Sequence, residues 1–154
     1  MTACEFRSPT SLADWDAYHT IRRQVLFERR GRLGEYDPNH PDEHRAGHYP
    51  KILVDQGHII AVIRIDIAPP RATFRRVAVR EEYQGRGYGR QLIRLAEIFA
   101  AEHSCREVLS MVDQAAVGFY RKCGFTGGGE PRTPESPIRM VKRLEGIKTP
   151  AVAQ

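Results

Sequence analysis

The chain has 154 residues, 24 Lys and Arg against 19 Asp and Glu, and a formal charge of +5; this length holds one domain with its own core, without disulfides or metals. Arginine makes up 20 of the 24 basic residues, and its forked cation suits phosphate and carboxylate, so an anionic partner is expected. Cys4, Cys105 and Cys123 form no CxxC pair, the N-terminus MTACEFRSPTSLADW lacks a basic-then-apolar leader, and no apolar run approaches the roughly 20 residues of a membrane span, which excludes a disulfide scaffold, a thiolate zinc site and a membrane protein and points to the cytoplasm.

Ala3 to Arg7 reads as a short strand. Ser11 can cap a helix whose apolar positions Leu12, Trp15, Tyr18, Val25 and Leu26 follow the helical period to about Arg30. Gly31 to Pro50, rich in Gly, Pro, Asp and His, reads as loop with at most a short helix. Lys51 to Asp55 and Ile59 to Ile67 are strands joined by a hairpin-like turn at Gln56-Gly57-His58, and Pro69-Pro70 ends the pairing. Thr73 to Val79 is the next strand. Arg90 to His103 follows as a helix with the broad apolar face Leu92, Ile93, Leu95, Ala96, Ile98, Phe99 and Ala100. Glu107 to Val112 is a strand, Gln114 to Lys122 a short helix stopped at Gly124, and Pro137 to Leu144 a last strand. This order predicts an α/β fold with a mixed sheet, as a single domain over residues 1–145 with a tail at 146–154.

Between Val79 and the long helix lies EEYQGRGYGRQLI, with glycines at 85, 87 and 89. A strand, a glycine turn and a helix start together form an anion site of unpaired amides at the positive helix end. The P-loop pattern is excluded because no Gly-Lys pair occurs, and the dinucleotide pattern because Arg90 replaces its third glycine. ATP hydrolysis and hydride transfer lose ground accordingly.

RRVAV followed by QGRGYG resembles the coenzyme A pyrophosphate loop of the GNAT superfamily of N-acetyltransferases, with Gln84, Gly87 and Gly89 in the defining places. VDQAAVGFYRKCGF resembles that family's second signature through Ala116, Phe119, Tyr120, Gly124 and Phe125; Asp113 stands where the family often has asparagine. The resemblance implies a mostly antiparallel central sheet of six to seven strands flanked by about four helices. It also implies acetyl-CoA as acetyl donor and an amine as acceptor, with a homodimer as a candidate assembly.

By the same resemblance, Val77, Ala78 and Val79 would offer backbone groups to pantetheine amides. The segment Gln84, Gly85, Arg86, Gly87, Tyr88, Gly89 and Arg90 would wrap the pyrophosphate, with Arg86 and Arg90 adding charge, and the glycines keep side chains out of the ligand's path or permit the turn. Tyr120 would give a proton to the departing sulfur, a role its reference pKa near 10 permits. Asp113 can cap the helix at Gln114 or touch the cofactor.

The general base stays open among Glu28, Asp66, Glu35, Asp37, Asp42 and Glu43. His40, His44 and His48 recur at intervals of four, but Pro41 and Gly47 interrupt any helix that would align them, so no metal site is expected. Two other readings stand beside acetyl transfer: an acyl-CoA-binding sensor without turnover, and a basic nucleic-acid-binding domain. Dispersed arginines without an interleaved aromatic motif argue against nucleic acid.

Overall fold

The computed structural model describes residues 4–28, 31, 32, 34–127 and 132–146. Seven strands form one sheet in the order β1-β2-β3-β4-β5-β7-β6: β1 Glu5–Arg7, β2 His48–Asp55, β3 His58–Ala68, β4 Arg71–Val79, β5 Glu107–Val112, β6 Thr126–Gly127 and β7 Ile138–Arg143. All pairings are antiparallel except β4 with β5. The α-helices are α1 Leu12–Arg22, α2 Tyr88–Glu102 and α3 Val117–Lys122. Three α-helices thus stand among the described residues where about four were expected. A π-helical turn, Arg23–Phe27, continues α1, while Pro41–His44, Glu81–Tyr83 and Gln114–Ala116 are single 3-10 turns.

Ser11 is the N-cap of α1: its hydroxyl accepts from the Asp14 amide, and the Asp14 carboxylate accepts in return from the Ser11 amide, the reciprocal capping box. Leu12, expected on the apolar face, is 91 % exposed because it sits in the first turn ahead of the buried stripe formed by Tyr18, Ile21, Leu26 and Phe27. β2 starts at His48 rather than Lys51, since the Ile67 amide donates to Gly47 O at 2.7 Å and draws the preceding residues into the ladder with β3.

Alternation along the strands sends neighbouring residues to opposite faces. Ile52, Val54, Val62 and Ala78 meet α1 and its π turn, whereas Leu53, Ile63, Ile65 and Phe74 meet α2 through Leu92, Ile93, Ala96 and Ala100. Each fully buried large aliphatic side chain contributes about 1.5–3 kcal/mol relative to exposure, so these two layers hold α1 and α2 against opposite sides of the sheet. Glu97 is also buried in α2, ion-paired to Lys142 on β7 at 3.0 Å.

The parallel pair is forked. Pairing of β4 with β5 covers only Arg71–Phe74 against Glu107–Ser110, although β4 runs on to Val79 and β5 to Val112. The ladder between β3 and β4 shifts register between Val62 and Arg64, and Arg76 has φ 56°. A bulge of this kind bends its strand and strengthens the local twist, which turns the end of β4 away from β5. Among the described residues no helix is long and apolar enough to cross a membrane.

Candidate active site

The fork opens into a cleft of about 1180 Å³ that runs from the glycine turn, past Tyr120, to α1 and the segment after it. At its first end, Gly85 and Gly87 have φ 77° and 88°, with no atom within 4 Å of where a Cβ would stand. Left-handed backbone is the reason for both glycines. Gly89 differs: a Cβ there would lie 3.2 Å from Phe119 Cζ, so its hydrogen lets α3 pack against the start of α2. Crowding by its own protein accounts for the third glycine of the turn.

Gly87 is the N-cap of α2, and the first amide bonded back along the helix is that of Gln91, to Gly87 O at 3.2 Å. The amides of Tyr88, Gly89 and Arg90 are therefore first-turn donors without intrahelical acceptors. On the side of β4 away from the fork, the Arg80 amide donates to Ile60 O and Val79 stands opposite Ala61 of β3. Because bonded pairs alternate in an antiparallel ladder, Val79 presents its own N–H and C=O to the open edge. Gln84 Nε2 donates to Val79 O at 2.9 Å, so this side chain braces the turn against the strand end.

Val77, Ala78, Val79, Gln84, Gly85, Gly87, Gly89 and Arg90 all border the cleft, as do Asp113 and Tyr120. Arg86 and Tyr88 do not: the Arg86 guanidinium lies 5.6 Å from the Tyr83 ring, and Tyr88 OH donates to Asp55 at 2.5 Å. Asp113 holds the N-cap position of the Gln114–Ala116 turn without a side-chain capping bond. Tyr120 is 6 % exposed and packed edge-on against Phe119 and Phe125. Burial pushes its pKa up to about 12, and the neighbouring Ser110 hydroxyl offsets this in part. Ser110 in turn donates to Phe74 O at 3.3 Å, where the β4–β5 pairing ends. The phenol thereby stands beside the crotch of the fork, a placement with no counterpart in any motif of the sequence.

The other end of the cleft is rich in ion pairs. Glu43 is 4 % exposed; its carboxylate accepts from Tyr18 OH at 2.9 Å and pairs with Arg22. Asp66 pairs with Arg64 and Arg75, both at 2.8 Å. Glu35 pairs with Arg32 at 3.2 Å, Asp42 with Arg45 at 3.0 Å, and Asp37 accepts from the Asn39 amide. Glu28 does not border the cleft. The carboxylates named as base candidates are, apart from Glu28, each engaged with a cation or a turn.

Three histidines of this segment diverge: His40 caps the Pro41–His44 turn, the His44 ring lies 5.4 Å from Trp15, and His48 Nδ1 lies 2.6 Å from Asp42 O. Among the described residues no group of three His, Cys, Asp or Glu side chains is placed to hold a metal ion.

A mixed sheet forked at its parallel pair, with a strand, glycine turn and helix forming one lip and a buried tyrosine beside the opening, defines an α/β domain built around an open cleft. The chain belongs to the acetyltransferase (GNAT) family, whose sequence profile matches residues 14–125. It is an acyltransferase of that family, and acetyl transfer is its general chemistry. A crystal structure of a Lactobacillus plantarum protein assigned as an N-acetyltransferase superposes with a TM-score of 0.77 at 26 % identity, covering 93 % of this chain and 99 % of that one. Spermidine N-acetyltransferase from Vibrio cholerae, in complex with CoA and spermine, gives 0.72 at 18 % identity over 92 % and 95 % of the two chains. An aminoglycoside 6′-N-acetyltransferase complexed with coenzyme A gives 0.78 at 14 % identity over 97 % and 100 %. The last two share the fold.

Proposed function

We propose that the protein transfers an acetyl group from acetyl-CoA to a primary amine by direct attack in a ternary complex. The observation that carries this reading is the convergence of the open β4 edge, the first-turn amides of α2 and Tyr120 on one cleft. Acetyl-CoA supplies the thioester, whose C–S bond breaks as the amide C–N bond forms. The amides of residues 85–90 would receive its pyrophosphate, since they carry the positive end of α2. Arg90, at the cleft, adds positive charge there. Arg86 and Tyr88 would contribute through their main chain, their side chains being turned to Tyr83 and Asp55. Val77 and Val79 would pair with the pantetheine amides as a further strand would.

Tyr120 holds a proton for the departing thiolate, and burial keeps that proton in place at neutral pH. With Glu43, Glu35 and Asp42 at the cleft each paired to an arginine, the acceptor enters as the free amine and loses its second proton to water in the cleft.

Calorimetry with coenzyme A, followed by thiol release from acetyl-CoA over a panel of primary amines, tests the reading. Tyr120→Phe is expected to lower kcat by about 10²-fold while the coenzyme A Kd stays near wild type; equal turnover removes the acid role. With wild type, turnover is expected to rise with pH as the amine loses its proton, with no fall from Tyr120 before its pKa of about 12 is approached. An absence of heat with coenzyme A would end the proposal.

A further inference from the structure

The bulge in β4 has a chemical consequence. Strict alternation would send Arg75 and Arg76 to opposite faces of the sheet. Instead Ile63 alone stands across from Arg76 and Val77, between the Val62–Ala78 and Arg64–Arg75 pairs. Arg75 reaches Asp66, and Arg76 lies over the Phe27 ring at 5.2 Å, on the α1 side. Val77 then packs toward α2, and Ala78 returns to the α1 side. Two successive arginines therefore share one face, and both border the cleft with Arg22 and Arg64. A non-glycine residue held at φ 56° within a strand persists only where its surroundings enforce it, and such positions gather at functional sites.

The four guanidiniums face two carboxylates. Glu43 neutralises Arg22, and Asp66 serves Arg64 and Arg75 together. Arg76 has no ion pair or hydrogen bond with any described residue, and it lies within the field of Arg22, Arg64 and Arg32, which lowers its pKa after the effect of desolvation. A second observation points the same way. Arg22 is 3 % exposed, borders the cleft, and its Nε has no hydrogen-bond partner among the described residues. Like charges gathered in a cleft are costly until a counter-charge arrives. Of the rim carboxylates, Glu35 and Asp42 are held by Arg32 and Arg45.

We infer that the acceptor is a small amine bearing an anionic group, carboxylate or phosphate, which docks on the Arg76 guanidinium while its amine faces the fork. This rests on the acetyl-transfer reading above. Arg76 is three residues before Val79 on one strand, about 10 Å at the usual rise, so a ligand spanning a few bonds connects the two places. A fork of N–H donors can hold either oxyanion in bidentate fashion. A polycation would instead meet positive charge at this wall.

Matched amines test it: butylamine against 4-aminobutyrate, ethanolamine against O-phosphoethanolamine, with spermidine as the cationic control. The anionic member of at least one pair is expected to have the higher kcat/KM by about tenfold or more, the worth of one charged contact, and the pair that responds distinguishes carboxylate from phosphate. Arg76→Gln should erase that ratio through KM, Arg76→Lys should keep part of it, and unaltered coenzyme A affinity shows that both variants are folded. Preference for the neutral amines or spermidine, or a ratio that survives Arg76→Gln, overturns the inference and leaves acetyl transfer standing. Should no amine turn over, calorimetry with 4-acetamidobutyrate and N-butylacetamide on the coenzyme A complex decides it. Heat from the anionic compound alone, lost in Arg76→Gln, supports the anion site while the acetyl-transfer reading fails; equal or absent heats overturn both.

Discussion

Asp14 has two tasks at the start of α1. Its carboxylate accepts from the Ser11 and Thr10 amides and pairs with Arg7 at 2.7 Å. The Arg7 hydrogen bond, then the Thr10 amide, hold its pKa well below the usual carboxylate range. Because the folded-state pKa is depressed, the stabilisation is complete above the unfolded value near 4. It is lost as the pH falls from there toward the folded value. Asp14→Asn is expected to cost about 1 kcal/mol at neutral pH, a capping-box magnitude kept small by the exposed side of the pair. Denaturant midpoints measured at pH 7 and again at strongly acidic pH check this, and the gap between variant and wild type should close in acid. Tyr120 shows the opposite sign: burial raises its pKa, so it carries its proton through the whole working range.

The glycine turn and the bulged strand work as a pair of elements. The turn exposes amides because Gly85 and Gly87 hold left-handed φ, and the strand exposes Val79 because the bulge ends its pairing with β5. Gly87→Glu is expected to abolish coenzyme A binding, through a residue strained by about 1–2 kcal/mol in the left-handed region and a negative charge set among the anion-binding amides. Wild-type calorimetry from a folded Gly87→Glu protein would show that the turn is not the pyrophosphate site. Gly89 belongs to another contact, since its place is dictated by Phe119 on α3. This contact couples the lip of the cleft to the helix that carries Tyr120.

Over the whole molecule, the segment after α1 is fastened by one buried side chain. Glu43 reaches from the Pro41–His44 turn to Tyr18 and Arg22 of α1, so the wall opposite β4 is set by a pair far from the glycine turn in the fold. Glu43→Ala leaves the Arg22 cation buried without its carboxylate, and a loss of about 3–5 kcal/mol is expected. Chemical denaturation reads the loss. In the surviving folded fraction, acceptor KM should rise while coenzyme A affinity is retained, because the two ends of the cleft rest on different elements. An equal loss of both would show that the cleft is held as one unit.

Local signals in the sequence sufficed for much of this. Ser11 as a cap, the hairpin at Gln56-Gly57-His58, the apolar face of α2 and the two signature segments each depend on neighbours close in the chain, and they brought out the fold class, the glycine turn and Tyr120 before any coordinates. The links from Ser110 to Phe74, from Glu43 to Arg22 and from Gly89 to Phe119 join residues distant in sequence, and no periodicity encodes them. Arg76 is the plainest case. By alternation it belongs on the face away from Arg75, and only the extra residue in β4, fixed by pairing with β3, puts both on one wall. Chain-local propensities thus determined which elements form, and the resemblance of two short segments to a known family indicated their chemistry, while long-range packing and strand register decided which charges meet, because those depend on distances set after the sheet is assembled.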